Sequence, residues 1–169
     1  MEVRFLPLAW IPGLFLLHNL EEALAMQGFL DTGRFILPEA LTRILSTPTY
    51  EQFLLALIPV TALPWAFLLL LHSERTAKLG RILLLLTQTV LFLNVFSHLL
   101  GALIVGAYTP GLATALLINL PFSLYLVHLA RSQGWIHARS LAALFAGAVL
   151  LHGPGLLGLL WLSTRLLPK

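Results

Sequence analysis

Apolar residues fall along the chain in five long stretches that are separated by short polar connections. A transmembrane helix needs about 20 mostly apolar residues, and each stretch reaches or approaches that length. We therefore predict an all-α polytopic membrane protein, a bundle of five transmembrane helices that forms one domain over residues 1–169. The predicted spans cover approximately residues 5–30, 53–71, 82–107, 112–130 and 141–162.

The connection between the first two spans, from Asp31 to Gln52, carries a helical pattern of its own. Its apolar residues recur with helical spacing at Leu37, Leu41, Ile44 and Leu45. Pro38 suits the start of a helix, and Pro48 lies just beyond its end. We predict a short amphipathic helix at the membrane interface, which either links the two spans or acts as a lid.

Composition agrees with a membrane environment and excludes several classes of protein. Hydrophobic residues make up 59% of the chain and charged residues only 10%, whereas soluble domains carry roughly a quarter charged residues. Disordered chains show the opposite balance. The net charge of +3 is small and scattered, so we expect no nucleic-acid partner. Cysteine is absent, so a metal would have to bind through histidine, carboxylate or amide groups.

The distribution of basic residues predicts the orientation. With the N-terminus inside, the cytoplasmic side holds six basic residues and the outside four. The inner set is Arg4, Arg75, Lys78, Arg81, Arg131 and Arg139, and the outer set is Arg34, Arg43, Arg165 and Lys169. The connection over residues 72–81 contributes three of the inner six. We predict a multi-pass protein of the inner (plasma) membrane with a cytoplasmic N-terminus.

Two carboxylates interrupt the first span. Glu21 and Glu22 are the only acidic residues inside a predicted span, and a charge at the centre of a membrane helix costs on the order of 2.5 to 3.5 kcal/mol. His18 lies three and four residues before them, so all three side chains share one helix face. This polar cluster also argues against a cleaved signal peptide, whose apolar core is continuous.

Further polar residues lie at a similar depth in two other spans. Asn94 and His98 are four residues apart in the third span, and His152 lies near the middle of the fifth. Spans one, three and five run in the same direction. Counting about 1.5 Å per residue from each span's centre places these residues in the same layer as the first cluster. We expect the clusters to converge if the three helices pack together.

Two imidazoles with one or two carboxylates are a ligand set for Zn²⁺ or Fe²⁺. We predict a divalent metal ion, zinc or iron, with candidate ligands His18, Glu22, His98 and His152. In this interpretation Glu21 is the general base, and Asn94 orients His98 or the substrate. Alternatively, both carboxylates bind and bridge two metal ions, as in helical-bundle di-iron proteins.

Three short motifs carry a resemblance to a known family. HNLEE at residues 18–22, NVFSH at residues 94–98 and YTPG at residues 108–111 resemble the HxxEE, NxxxH and YxPG motifs of the bacterial HXXEE-domain membrane proteins. The resemblance extends over nearly the whole chain, in the same order. That family has no established function, so the resemblance implies only that the motif residues are functional. It adds Tyr108, whose hydroxyl lies at the outer rim, to the catalytic candidates Glu21 and Asn94.

The function predicted from these residues is an intramembrane metal-dependent enzyme, a hydrolase or an oxidoreductase. Its substrate would be a lipid-like or apolar small molecule taken from the surrounding membrane lipid. The alternative is a proton- or cation-coupled transporter that uses Glu21 and Glu22. The five spans show no inverted repeat, the usual basis of alternating access, which counts against a transporter; a homodimer is one way to supply the missing half. Haem held by two histidines ranks last, because it leaves the carboxylates unexplained.

Overall fold

The computed structural model describes residues 3–35 and 46–168, and all regular structure in these two ranges is helical. We number five helices in chain order. Helix α1 covers Ile11–Asp31 and continues a 3-10 helix over Val3–Trp10. Helix α2 covers Tyr50–Leu69, α3 covers Glu74–Val105, α4 covers Leu112–Ser132 and α5 covers Ala138–Leu166. The predicted all-α fold is thus confirmed for the described residues.

Four of these helices, α2 to α5, are long and apolar enough to cross a membrane. Helix α1 is not among them, because the polar residues around His18 lower its mean hydropathy. The first predicted span, residues 5–30, therefore stays a prediction, and with it the count of five spans. The predicted interfacial helix lies almost entirely outside the described residues.

The ends of the helices differ from the predicted spans mainly in α3. Helix α3 begins at Glu74, eight residues before the predicted third span, and only Ser73 separates it from the 3-10 turn Leu70–His72. An apolar window cannot detect these first two turns of the helix, since four of their eight residues are charged. The other end falls where predicted, because Gly106 adopts a left-handed conformation that terminates the helix.

Contacts between side chains give the directions of the helices. His18 contacts Asn94 and Glu22 contacts His98, so α1 and α3 run parallel. Asn19 donates to Thr61 at 2.6 Å, which joins α1 to α2. The largest buried cluster occupies the end of the bundle where α1 and α3 begin. The polar residues of α1 and α3 lie toward the opposite end.

Helices α4 and α5 each contain a π-helical segment next to a proline. The segments are Ala115–Asn119 before Pro121 and Leu151–Gly155 around Pro154. Proline lacks the N–H that would continue the helical ladder, and a wider turn accommodates the missing bond. The second segment contains His152. Gly153, Pro154 and Gly155 belong to the same irregular stretch of backbone.

Candidate metal centre

Three residues from α1 and α3 bring their ligand atoms together. The group consists of His18, Glu22 and His98, whose ligand atoms all lie within 4.8 Å of one another. His18 is completely buried, and the side chains of Glu22 and His98 are 14% and 11% exposed. The i, i+4 spacing of His18 and Glu22 places both on one face of α1. We call His18, Glu22 and His98 the triad.

The triangle formed by the triad has the size that a small divalent cation requires. The Oε1 atom of Glu22 lies 3.2 Å from His98 Nε2 and 3.7 Å from His18 Nε2, and the two nitrogens are 3.3 Å apart. Ligands at bond lengths of about 2.1 Å are roughly 3.4 Å apart in a tetrahedron and roughly 3.0 Å apart in an octahedron. The triad fits one ion and lies closer to the tetrahedral spacing.

The ring of His18 is held from both sides. Its Nδ1 lies 2.7 Å from Thr114 Oγ1, and the Thr114 hydroxyl itself donates to the carbonyl of Gly111. In the tautomer that fits this arrangement, Nδ1 of His18 donates to Thr114 and Nε2 carries the lone pair. Asn94 Nδ2 donates to this lone pair at 2.7 Å, so an ion bound at Nε2 would replace this hydrogen bond. Asn94 therefore contacts His18, whereas the sequence predicted a contact with His98 or the substrate.

Gly111 covers the triad from the side of α4. Its φ of +86° is a left-handed conformation that favours glycine. A Cβ at this position would lie 2.6 Å from His98 Cε1 and 2.9 Å from both His18 Cε1 and Glu22 Cγ. In the sequence, Gly111 is identified only as the last residue of the YTPG motif. Its contact with the triad could not be foreseen, because it depends on how the turn packs against α1 and α3.

Glu21 points away from the triad and binds the beginning of α4. Its Oε2 accepts from the Thr114 N–H at 2.7 Å, and its Oε1 accepts from the Ala113 N–H at 3.0 Å and from the Tyr108 hydroxyl. The first N–H groups of a helix lack partners within it, and a carboxylate there also compensates the helix dipole. The base role of Glu21 stays a prediction, with both of its oxygens occupied in this arrangement.

Tyr108 lies in the connection between α3 and α4 and donates to Glu21. Burial, and then the hydrogen bond to the Glu21 carboxylate, raise the pKa of the Tyr108 hydroxyl to about 12. The hydroxyl is therefore protonated at neutral pH and acts as a donor. Tyr108 and Glu21 together connect the YTPG turn to the HNLEE segment.

His152 does not join the triad. Its Nε2 lies 2.8 Å from Ser97 Oγ, which connects α5 to α3. The predicted ligand role of His152 stays a prediction. Neither Ser97 nor Thr114 carries a specific signal in the sequence, since serine and threonine are common in membrane helices as interhelical hydrogen-bonding groups.

A cavity of about 570 Å³ adjoins the triad and is lined by α1, α2, α3 and α5. Glu22, Asn94 and His152 lie in its wall, together with Asn19. Glu22 is thus both a member of the triad and a residue of the cavity surface. A molecule in this cavity would have access to an ion held by the triad.

Comparison with known proteins identifies a family but no function. A family model described as "Protein of unknown function with HXXEE motif" matches residues 9–126. The matched segment contains all three motifs and the whole triad. The comparison with curated proteins gave no match, and the comparison with solved structures also gave none.

Proposed function

The chain belongs to the family of proteins of unknown function with an HXXEE motif, and we propose that it is an intramembrane metal-dependent enzyme. Since the family has no known function, the proposal rests on the residues of the site in this chain. The observation that supports this most strongly is the triad, in which two imidazole nitrogens and one carboxylate oxygen lie 3.2 to 3.7 Å apart. Two histidines and a glutamate are also the protein ligands of hydrolytic zinc enzymes that keep one position open.

We propose zinc rather than iron, and one ion rather than two. The near-tetrahedral spacing of the triad supports zinc, since the open-sided iron triad belongs to an octahedral site. The orientation of Glu21 supports a single ion, because its carboxylate binds the α4 N-terminus and is not part of the group. Bound zinc would supply a Lewis acid and a water of lowered pKa.

The residues around the triad have separate proposed roles. His18, Glu22 and His98 hold the ion. Thr114 contacts Nδ1 of His18 and thereby orients the ring so that Nε2 faces the other two ligands. Metal-binding histidines commonly make such a hydrogen bond through the ring nitrogen that does not bind the metal. Glu21 positions α4 over the site. His152, in the cavity wall with its Nε2 beside Ser97, is the group we propose to accept and return a proton during hydrolysis.

The proposed substrate is a lipid-like molecule. The cavity beside the triad is mostly apolar, and helices long and apolar enough to cross a membrane form three of its four walls. We retain the orientation predicted from the basic residues, with a cytoplasmic N-terminus, as part of this proposal.

The test measures metal content and lipid turnover on the same samples. The full chain is purified in detergent with His18→Ala, Glu22→Ala and His98→Ala variants, and with His128→Ala as a control outside the triad. We expect about one zinc ion per chain in the wild type and the control, and strong loss in the three variants. Each sample is then incubated with a lipid extract of the host membranes, with and without a chelator, and followed by mass spectrometry.

The products separate the possible reactions. A lipid that gains the elements of water only while zinc is bound supports the hydrolase, and a gain of oxygen indicates an oxidoreductase instead. A chain that binds no metal in zinc-replete medium contradicts the proposal. Proton-coupled uptake into liposomes that is lost in Glu21→Gln would replace the enzyme with the transporter.

A further inference from the structure

We infer that the cavity beside the triad is a binding site for a single unbranched hydrocarbon chain whose polar end group lies at Glu22 and Asn94. The inference rests on the proposed function, because it takes the triad as the reacting end of the site. It specifies the substrate further, as an amphiphile with one chain in the cavity.

The polarity of the cavity wall changes from one end to the other. Glu22 and Asn94 belong to the end next to the triad, where Glu22 Oε1 lies 3.2 Å from His98 Nε2 and Asn94 Nδ2 donates to His18 Nε2. Toward the other end the wall is apolar and reaches Phe67 on α2 and Leu83 on α3. A wall of this kind suits a molecule with one polar end and one apolar end.

The polar side chains farther along the wall are already satisfied within the protein. The Thr87 hydroxyl donates to the carbonyl of Leu83 at 2.9 Å, and the Asn19 amide nitrogen donates to Thr61 Oγ1 at 2.6 Å. The Thr87 hydroxyl and the Asn19 amide nitrogen therefore already have partners. A hydrocarbon chain can lie against them without breaking these hydrogen bonds.

The length of the cavity favours one extended chain. Asn94 and Leu83 are eleven residues apart on α3, which corresponds to about 16 Å along the helix axis. The volume of about 570 Å³ is within the usual range for small-molecule sites, roughly 300 to 1,000 Å³. Leu63 on α2 and Leu151 on α5 line the cavity and are about half exposed, so a chain can enter between these helices from the lipid.

Affinity alone is a poor measure of this site. A methylene group that moves from lipid into the cavity exchanges one apolar environment for another, so longer chains gain little. The shape of the cavity should instead determine how far along the cavity the terminal carbon of each fatty-acid probe lies. The probes are therefore octanoic and dodecanoic acids that carry a photoreactive diazirine on the terminal carbon, added to the full chain in lipid nanodiscs.

The expected result is a labelled position that depends on chain length. The dodecanoic probe should label the apolar end at Phe67 and Leu83, and the octanoic probe should label the middle at Val60 and Val90. Val90→Trp narrows the cavity and should lower labelling of the apolar end about tenfold. Leu103→Trp is the matched control, since Leu103 lies on the same helix, is 71% exposed and does not line the cavity.

A second variant and a metal measurement make the outcome decisive. Leu83→Trp fills only the far end and should exclude the dodecanoic probe while the octanoic probe still labels the middle, which covers the case in which Val90→Trp does not fold. Labelling spread over lipid-exposed positions for every probe, or equal in Val90→Trp and Leu103→Trp, would overturn the inference.

Zinc content is measured in parallel. Labelled cavity residues without zinc would refute the metal enzyme alone, and zinc without cavity labelling would refute the chain site alone.

Discussion

The ring of His98 packs so closely on Gly111 that a Cβ added to the glycine would lie 2.6 Å from His98 Cε1. The backbone of the YTPG turn thus touches a residue of the NVFSH segment directly. Since His18 Cε1 and Glu22 Cγ are each within 2.9 Å of the same point, one turn makes contact with all three members of the triad.

Gly111→Ala should therefore weaken metal binding. The alanine would adopt an unfavourable left-handed conformation, costing about 1 to 2 kcal/mol, and its methyl group would displace the triad. We expect zinc affinity to fall about tenfold or more in a chelator competition titration. Gly106→Ala is the matched control, because Gly106 has a φ of +65° with no atom within 4 Å of the added Cβ. Equal zinc affinity in the two variants would show that the contact with the triad has no effect.

Removing the hydroxyl of Thr114 should loosen His18 without removing a ligand. Thr114→Val keeps the shape of the side chain but leaves Nδ1 of His18 without its partner at 2.7 Å. Loss of such a partner typically lowers metal affinity 10- to 100-fold. Thr114→Ser retains the hydroxyl and should bind zinc nearly as the wild type does. If the valine variant binds zinc as tightly as the serine variant, Thr114 does not position His18.

The two adjacent glutamates should respond differently to substitution. Glu22→Ala removes a ligand and should abolish tight zinc binding with little loss of stability in the metal-free protein. Glu21→Ala removes the acceptor of two backbone N–H groups and the Tyr108 hydroxyl, which we expect to cost on the order of 2 kcal/mol of folding free energy. Thermal unfolding of the metal-free variants measures this difference. The reverse pattern, with Glu21 essential for zinc and Glu22 for stability, would exchange the two roles.

Helical spacing was sufficient to predict much of this site. Residues four apart share a face, and on that basis the sequence placed His18 with Glu22 and Asn94 with His98. Counting depth along α1 and α3 then put these pairs in one layer, where the structure has them in contact.

The remaining features depend on packing between distant segments. Adjacent residues on a helix point about 100° apart, so Glu21 and Glu22 face different neighbours, and the sequence does not identify those neighbours. The partner of Glu21 is the first turn of α4, more than ninety positions away. His152 lies at the predicted depth but is paired with Ser97, a contact that helical spacing within α3 or α5 does not identify.

The role of His152 can be tested apart from the ligands. If His152 moves a proton, His152→Ala should keep its zinc and lose most of its metal-dependent lipid turnover, typically 10²- to 10⁴-fold for a general acid or base. Zinc content and turnover are measured on one preparation, with His137→Ala as the control. Loss of zinc from His152→Ala would make this residue a fourth ligand.

The central claim is that His18, Glu22 and His98 hold one zinc ion, and X-ray absorption at the zinc edge tests it most directly. The zinc-loaded wild type should show only nitrogen and oxygen ligands at about 2.0 to 2.1 Å, with scattering from two imidazole rings. The zinc that His98→Ala still binds when zinc is in excess should show one ring at most, and His128→Ala should match the wild type. A spectrum without imidazole scattering, or one that His98→Ala leaves unchanged, would contradict the account.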